Sequence, residues 1–109
     1  MPAHNADIAD LFNRVADLLE ILGENPFRIR AYRNAARTVV DLSQSVAAMV
    51  EQGKDLSELP GIGKDLAGKI QEIIRTGTLS QLQELEDRIP PQLGRLMKIA
   101  SWHALFSAM

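Results

Sequence analysis

The segment Leu59-Pro60-Gly61-Ile62-Gly63 combines residue types that could hold a phosphate group. Gly61 and Gly63 permit positive φ and carry no Cβ, so the backbone can turn tightly there and approach a ligand closely. Pro60 fixes the angle at which the chain enters the turn, and Ile62 is an apolar anchor beside the two glycines. The pattern predicts a short hairpin that joins two helices.

A helix is predicted to begin directly after this hairpin, at Lys64. The backbone N–H groups of Gly63, Lys64 and Asp65 would then be unpaired at the positive end of the helix dipole, which suits a phosphate oxygen. The Lys64 side chain adds a full positive charge. Short glycine-rich turns also serve as plain helix connections, and the turn alone leaves both interpretations equally open.

The charge of the chain is divided between segments. The net charge is −2, whereas nucleic-acid-binding domains usually carry a basic excess. Residues 1–24 hold five acids and one base, but residues 25–40 hold four arginines and no acid: Arg28, Arg30, Arg33 and Arg37. The segment 25–40 could therefore form a basic surface even though the net charge of the chain is negative.

Helical periodicity accounts for the elements that must position these residues. Apolar residues recur at three- and four-residue steps, and capping and stop residues bound each run. The predicted helices run from Asn5 to Leu22, from Pro26 (capped by Asn25) to about Asp41, from a cap at Ser43 or Ser45 to Gly53, from Lys64 to Thr76 before Gly77, from a Ser80/Gln83 capping box to Pro90, and from near Pro91 onward.

No segment alternates with the two-residue period of a strand, so we expect an all-α fold. The predicted architecture is a compact bundle of four main helices with a helix-hairpin-helix, plus one or two C-terminal helices. A chain of 109 residues suits one domain, with a core over residues 5–98. Residues 99–109 form an apolar tail that includes Trp102 and Phe106 and has no clear stop signal.

A longer string of residues resembles a known family. The hairpin is followed by Leu66-Ala67, Lys69-Ile70 and Thr76-Gly77, and the segment from Asn25 to Ala36 precedes it. Together these residues resemble the amino-terminal helix-hairpin-helix module of family X DNA polymerases, of the bacterial type. In that family the module binds gapped DNA at a 5′-phosphate, and in several members it removes 5′-deoxyribose phosphate.

The resemblance implies roles for individual residues. Lys69 matches the nucleophile of lyase-competent relatives, which forms a Schiff base with the C1′ aldehyde before β-elimination. Tyr32 matches a tyrosine of the lyase pocket, although its helical spacing fits a core residue equally well. Arg28 matches a residue that holds the 5′-phosphate, with Arg30 beside it, and Phe27 matches a position that stacks on a template base. Phe27 also fits a core position.

Three positions depart from the lyase pattern. Asp65 replaces a phosphate-gripping lysine, Gln81 replaces another basic residue, and Gly68 replaces the acid that commonly precedes the nucleophile. Asp65 also lies one helical turn before Lys69, where a carboxylate would stabilise the ammonium form of an amine that must be neutral to attack. The departures weaken the predicted catalysis more than the predicted binding.

The resemblance also implies an ion. The backbone carbonyls of Ser57, Leu59 and Ile62 match positions that can hold K⁺ or Na⁺ between the hairpin and a phosphate. His4 and His103 lie far apart and the chain has no cysteine, so we expect no transition metal and no other required cofactor.

Three function classes stay open, and the first is binding of DNA without sequence preference. The expected DNA is gapped, nicked or a single-strand/double-strand junction. The residues that could bind it are Gly61, Ile62, Gly63, Lys64, Asp65, Phe27, Arg28 and Arg30. The alternatives are a 5′-deoxyribose phosphate lyase and a protein-interaction domain that docks through Trp102 and Phe106.

We expect no polymerase catalytic domain in this chain, because 109 residues leave no room for one beside the helical module. With no long apolar run or signal peptide, the expected location is cytoplasmic, at the nucleoid.

Overall fold

The computed structural model describes residues 4–89, and every regular element within that range is helical. The predicted all-α fold is therefore confirmed. Five α-helices follow one another, with a single 3₁₀ turn at Leu56–Glu58 before the hairpin: α1 (Asn5–Ile21), α2 (Pro26–Asp41), α3 (Val46–Glu51), α4 (Lys64–Thr76) and α5 (Ser80–Asp87).

Local capping signals set most helix ends. The Asn25 side chain accepts a hydrogen bond of 2.8 Å from the backbone N–H of Phe27, and Pro26 occupies the first turn of α2. Ser45, and not Ser43, caps α3. Gly77 ends α4 in the left-handed conformation, at φ +83°. These boundaries agree with the sequence predictions to within a residue or two.

The start of α5 differs from the sequence prediction. The predicted capping box of Ser80 and Gln83 is wrong, because α5 begins at Ser80 and its N-cap, Leu79, makes no side-chain cap hydrogen bond. The backbone N–H of Ser80 donates instead to the Glu72 carboxylate on α4, at 2.8 Å. The cap of α5 is thus supplied by the preceding helix.

One hydrophobic core joins the elements. Helices α1 and α2 pack along each other, and α5 also lies against α1. The 3₁₀ turn packs against α3 and α4. The hairpin that follows this turn lies beside α2. The largest fully buried side chains come from α1 to α4, the 3₁₀ turn and the residue before α5: Ile8, Phe12, Val15, Leu18, Leu19, Val39, Val46, Leu56, Ile70, Ile73 and Leu79.

Two parts of the sequence prediction lie outside the described residues: the helix near Pro91 and the tail over residues 99–109 with Trp102 and Phe106. Among residues 4–89, no helix combines the length and the apolar character that crossing a membrane requires.

Candidate nucleic-acid interface

The hairpin is a tight turn held by buried and backbone contacts. Gly61 has φ +74°, a conformation that residues with a Cβ rarely adopt. The N–H of Ile62 donates to the carbonyl of Leu59 at 3.1 Å, and the Ile62 side chain is buried in the core. The buried Ile62 side chain therefore anchors the turn in the core, whereas Gly61 and Gly63 are exposed to solvent.

Gly63 does not have the positive φ that the sequence analysis assumed. Its backbone is extended, with φ −89° and ψ −173°, which any residue can adopt. No heavy atom lies within 4 Å of the position that a Cβ would occupy. Neither folding nor packing requires glycine here, so the remaining effect of Gly63 is an uncovered backbone.

Thr38 connects the hairpin to α2, a contact that the sequence analysis missed. Its hydroxyl donates to the carbonyl of Pro60 at 2.9 Å. A Cβ on Gly61 would lie 3.9 Å from the Cβ of Asn34 and 4.0 Å from the Thr38 hydroxyl. The hairpin thus rests against the middle of α2, although 22 residues separate the two bonded partners.

The N-terminus of α4 opens onto solvent beside the hairpin. Gly63 is its N-cap and supplies no side-chain cap, so the first N–H groups of the helix have no side-chain acceptor. Asp65 lies in the first turn, where the helix dipole stabilises a negative charge. The same dipole would stabilise a phosphate, so Asp65 and a phosphate would compete for one environment.

An open cleft of about 540 Å³ lies between α2, the hairpin and α4. It brings together residues that the sequence analysis selected from separate segments. Its lining consists of Arg28, Ala31, Tyr32, Gly61, Gly63, Asp65, Leu66 and Lys69. The other selected residues are elsewhere, since Ile62 is buried under the hairpin while Phe27, Arg30 and Lys64 are exposed and do not line the cleft.

Lys69 and Asp65 form an ion pair at the cleft. The Lys69 ammonium nitrogen lies 3.5 Å from Oδ1 of Asp65, one helical turn earlier. The Lys69 side chain is 23% exposed and that of Asp65 is 82% exposed. Most of the Lys69 side chain is therefore covered, and the ion-pair partner of its amine is the residue that was expected from the sequence to oppose its reactivity.

Tyr32 belongs both to the core and to the cleft wall. Its side chain is buried, and its ring meets the edge of Phe12 at a centroid distance of 5.7 Å. Its hydroxyl donates to Oε1 of Gln81 on α5, at 3.0 Å. Gln81, one of the three positions that depart from the lyase pattern, therefore holds the tyrosine hydroxyl.

The arginines of α2 fall into two groups. Arg33 contacts Asp17 of α1 at 2.6 Å and Glu20 at 3.3 Å, and the hydrogen bond to Asp17 raises the pKa of this guanidinium above its usual value. Arg28 contacts Glu24 at 3.2 Å. Arg30 and Arg37 form no ion pair with any residue between 4 and 89, so they keep an uncompensated charge.

Glu24 lies between two arginines. Besides Arg28, it accepts a hydrogen bond of 2.9 Å from Arg88 at the end of α5. The bond from Arg88, followed by the charges of Arg88 and Arg28, lowers the pKa of this carboxyl below its usual value. Because Arg88 also neutralises Glu24, Arg28 can turn into the cleft without leaving an unpaired carboxylate behind.

Phe27 is not a core residue. Its side chain is 73% exposed, and the Arg30 guanidinium lies 5.6 Å from the centre of its ring. The alternative position of Phe27 in the core is therefore wrong.

The segment before the hairpin is ordered by an Asp55 turn. The Asp55 carboxylate accepts hydrogen bonds from the N–H and the hydroxyl of Ser57, which lower its pKa below the usual value. Ser57 and Leu59 are two of the three predicted carbonyl ligands, and the Leu59 carbonyl already accepts the Ile62 N–H. Within residues 4–89, no three histidine, aspartate or glutamate side chains cluster as a metal site would require.

Comparison with known proteins agrees with this geometry. A family described as "Helix-hairpin-helix domain" matches residues 3–79. The chain is 34% identical over 96 residues to the DNA polymerase/3′-5′ exonuclease PolX of Bacillus subtilis (strain 168), covering 88% of this chain and 16% of that protein. It is 31% identical over 85 residues to DNA polymerase lambda of Arabidopsis thaliana, covering 78% of this chain and 15% of that protein.

The chain therefore spans about a sixth of the length of the curated relatives it matches. The family match includes α1 to α4, and among them are α2, the hairpin between residues 59 and 63, and α4, which form the cleft. The chain belongs to the helix-hairpin-helix domain family, in the form found in family X DNA polymerases.

Proposed function

We propose that this chain binds DNA without sequence specificity, through phosphate contacts at the hairpin. The two relatives are named as DNA polymerases, which supports a DNA context for the domain. The hairpin offers backbone N–H groups at a helix N-terminus, and these recognise phosphate but carry no base information.

One observation carries this proposal: the uncovered backbone at Gly63. It has an ordinary φ and empty space at its Cβ position, so a glycine is not needed there for the fold. A close approach of DNA to the α4 N-terminus is a physical reason for a residue without a side chain.

The test compares Gly63→Ala with Gly68→Ala by fluorescence anisotropy on DNA. Both glycines are exposed, and no heavy atom lies within 4 Å of either Cβ position. Gly68 is inside α4, where alanine favours the helix. We expect Gly63→Ala to weaken DNA binding roughly tenfold or more, which corresponds to about one lost charge-assisted hydrogen bond, and Gly68→Ala to bind as the parent does. Equal affinity of Gly63→Ala and the parent would contradict the proposal.

We propose further that gapped DNA with a 5′-phosphate is the preferred form. The cleft is large enough for a terminal phosphate and sugar, and Arg28 and Lys69 on its wall can neutralise the charge. Gapped DNA with a 5′-phosphate should bind more tightly than the same gap with a 5′-hydroxyl. Arg28→Gln should remove that difference, and equal binding of the two gaps by the parent would argue against the phosphate.

A monovalent cation at the hairpin is part of the same proposal. The carbonyl oxygens of Ser57, Leu59 and Ile62 are ligands that suit K⁺ or Na⁺, and such an ion would add positive charge next to a phosphate. DNA affinity should then be higher in KCl or NaCl than in tetramethylammonium chloride of the same ionic strength. Identical affinities would exclude a role for the ion.

Lyase activity is a second candidate because Lys69 and Tyr32 line the same cleft. The Lys69 amine would condense with the C1′ aldehyde with loss of water, and β-elimination would then break the C3′–O bond and release the 3′-phosphate. The ion pair with Asp65 at 3.5 Å opposes the first step. Borohydride trapping on 5′-incised abasic DNA should therefore be weak, and strong trapping that Lys69→Ala abolishes would establish an enzyme.

A further inference from the structure

Glu24 occupies the short connection between α1 and α2, where its backbone is fixed on both sides. Its N–H donates to the carbonyl of Leu19 in the last turn of α1, at 2.9 Å. The next residue, Asn25, is the N-cap of α2. The side chain is only 26% exposed, so the carboxylate is held at a defined place beside the start of α2.

The two carboxylate oxygens of Glu24 bind different arginines. Oε1 contacts Nη1 of Arg28 at 3.2 Å, and Oε2 accepts a hydrogen bond of 2.9 Å from Nη2 of Arg88. Because each guanidinium uses its own oxygen, both arginines bind Glu24 at the same time. The contact with Arg88 is the shorter one, and it is also the largest cause of the lowered pKa of this carboxyl.

Arg28 is the member of this cluster that reaches the cleft. It lines the cleft, whereas Glu24 and Arg88 do not. A phosphate that binds Arg28 draws its guanidinium toward the cleft and weakens the contact with Glu24. With Arg88 in place the carboxylate keeps its shorter ion pair, but without Arg88 it would be left with no partner close to a bound phosphate.

Arg88 is held in place by α5. It is the C-cap residue of that helix, and its N–H donates to the carbonyl of Leu85 at 3.1 Å. Leu85 and the following residue, Ile89, are both buried in the core. The same helix holds the Tyr32 hydroxyl through Gln81. Helix α5 therefore contacts groups on or behind the cleft wall, although none of its own residues lines the cleft.

We infer that Arg88 is a positioning residue for Arg28 in phosphate binding and that it acts through Glu24. The inference rests on the proposed function and names a residue that adjusts the same site from outside the cleft. Arg88 neutralises the Glu24 carboxylate, which leaves Arg28 available to a 5′-phosphate. Glu24 has the opposite effect, because its charge retains Arg28 and repels a phosphate. Arg88 should therefore matter only while Glu24 carries its charge.

The experiment measures the preference for gapped DNA with a 5′-phosphate over the same gap with a 5′-hydroxyl, by fluorescence anisotropy. Arg88→Gln should reduce this preference roughly twofold to fivefold, the effect expected of a partly exposed ion pair. Glu24→Gln should raise the preference. When Glu24→Gln is already present, adding Arg88→Gln should change nothing, because the carboxylate on which Arg88 acts is gone.

Arg14→Gln is the matched control. Arg14 contacts Glu86 of α5 at 3.3 Å, so its loss removes an ion pair of the same helix and makes the same change in net charge, but leaves Glu24 untouched. The preference of Arg14→Gln should equal that of the parent. Circular dichroism and the unfolding midpoint establish that the variants fold.

Each outcome decides the inference. It is overturned if Arg88→Gln keeps the preference of the parent, if it weakens binding to both gaps equally, if its effect is the same with and without the Glu24 charge, or if Arg14→Gln has an equal effect. If Arg28→Gln removes the preference and Arg88→Gln does not reduce it, the inference fails and the proposed phosphate site stands. If the parent does not distinguish the two gaps, both fail.

Discussion

Gly61 and Gly63, two residues apart in the hairpin, are glycines for different physical reasons. Gly61 has φ +74°, so its backbone conformation disfavours any side chain. Gly63 has an ordinary φ and open space, so a side chain there meets no strain or clash, and alanine would lose only the modest preference for glycine at a helix N-cap. Stability and binding should therefore respond separately at the two positions.

Gly61→Ala should reduce the free energy of unfolding by about 1–2 kcal/mol, because alanine must adopt the left-handed region. The space itself permits the methyl group, since the nearest atoms are 3.9 Å and 4.0 Å away. Gly63→Ala should cost less, on the order of 0.5 kcal/mol, because its φ is ordinary and alanine is only a poorer helix N-cap than glycine. Urea unfolding of both variants checks this, and equal destabilisation of the two would contradict the assignment.

Asp65→Asn should raise DNA affinity roughly threefold to tenfold. The substitution removes a negative charge from the first turn of α4, where a phosphate would bind, and releases Lys69 from its ion pair. It should also lower helix stability slightly, because the dipole stabilises Asp65.

Glu51→Gln is the control for Asp65→Asn, since it makes the same change in net charge on an exposed residue of α3. Anisotropy titration of both variants separates a local effect from a general one. Unchanged or weaker binding by Asp65→Asn would show that phosphate does not approach this turn.

At the scale of elements, the junction of α4 and α5 depends on one carboxylate. The Glu72 carboxylate accepts the N–H of Ser80. The Thr76 hydroxyl lies within hydrogen-bond distance of the carbonyls of Glu72 and Thr78 and donates its one hydrogen to either of them. Helix α5 contributes Gln81, which holds the Tyr32 hydroxyl in the cleft wall. The orientation of α5 therefore affects the cleft even though α5 does not belong to the hairpin.

Folding stability should decrease in acid through Glu72. The backbone hydrogen bond from Ser80 lowers the pKa of this carboxyl below its ordinary value of 4.5. Because the folded state binds this proton less readily than the unfolded chain does, the stabilisation is complete above pH 4.5 and is lost as the pH falls through the lower folded-state pKa.

Glu72→Gln should therefore lose stability relative to the parent at neutral pH, and the difference should shrink in acid. Urea unfolding at neutral pH and below 4.5 measures it. Glu84→Gln, on the exposed surface of α5, is the control. A difference between Glu72→Gln and the parent that stays constant with pH would contradict the role of the carboxylate.

At the scale of the whole molecule, the positions of the charged side chains matter more than the net charge. The net charge is −2, yet Arg28 and Arg33 of α2 pair with Glu24, Asp17 and Glu20, while Lys64, Arg30 and Arg37 form no ion pair among residues 4–89. A general attraction to DNA is therefore weak, and binding must come from local contacts.

DNA affinity should fall linearly with salt on logarithmic axes, with a slope that corresponds to roughly two to four neutralised phosphates. The small number follows from the few available cations near the hairpin. Anisotropy titrations over a series of salt concentrations, on two unrelated sequences, measure slope and specificity together. A steep slope, or a strong preference for one sequence, would contradict a small phosphate-binding site.

The helices and the hairpin could be predicted from local sequence signals, because caps, stop glycines and apolar periodicity act over a few neighbouring residues. Pro26 and Gly77 illustrate this, whereas the choice between Ser43 and Ser45 as the cap of α3 came from the structure. The tertiary structure alone decided which distant groups meet: the Thr38 bond to Pro60, the Glu72 cap of α5, and the arginines of α2 that find acids. These contacts depend on how helices pack, and packing joins residues that no local spacing relates. The extended φ of Gly63 was decided in the same way, by the path of the chain between an anchored Ile62 and α4.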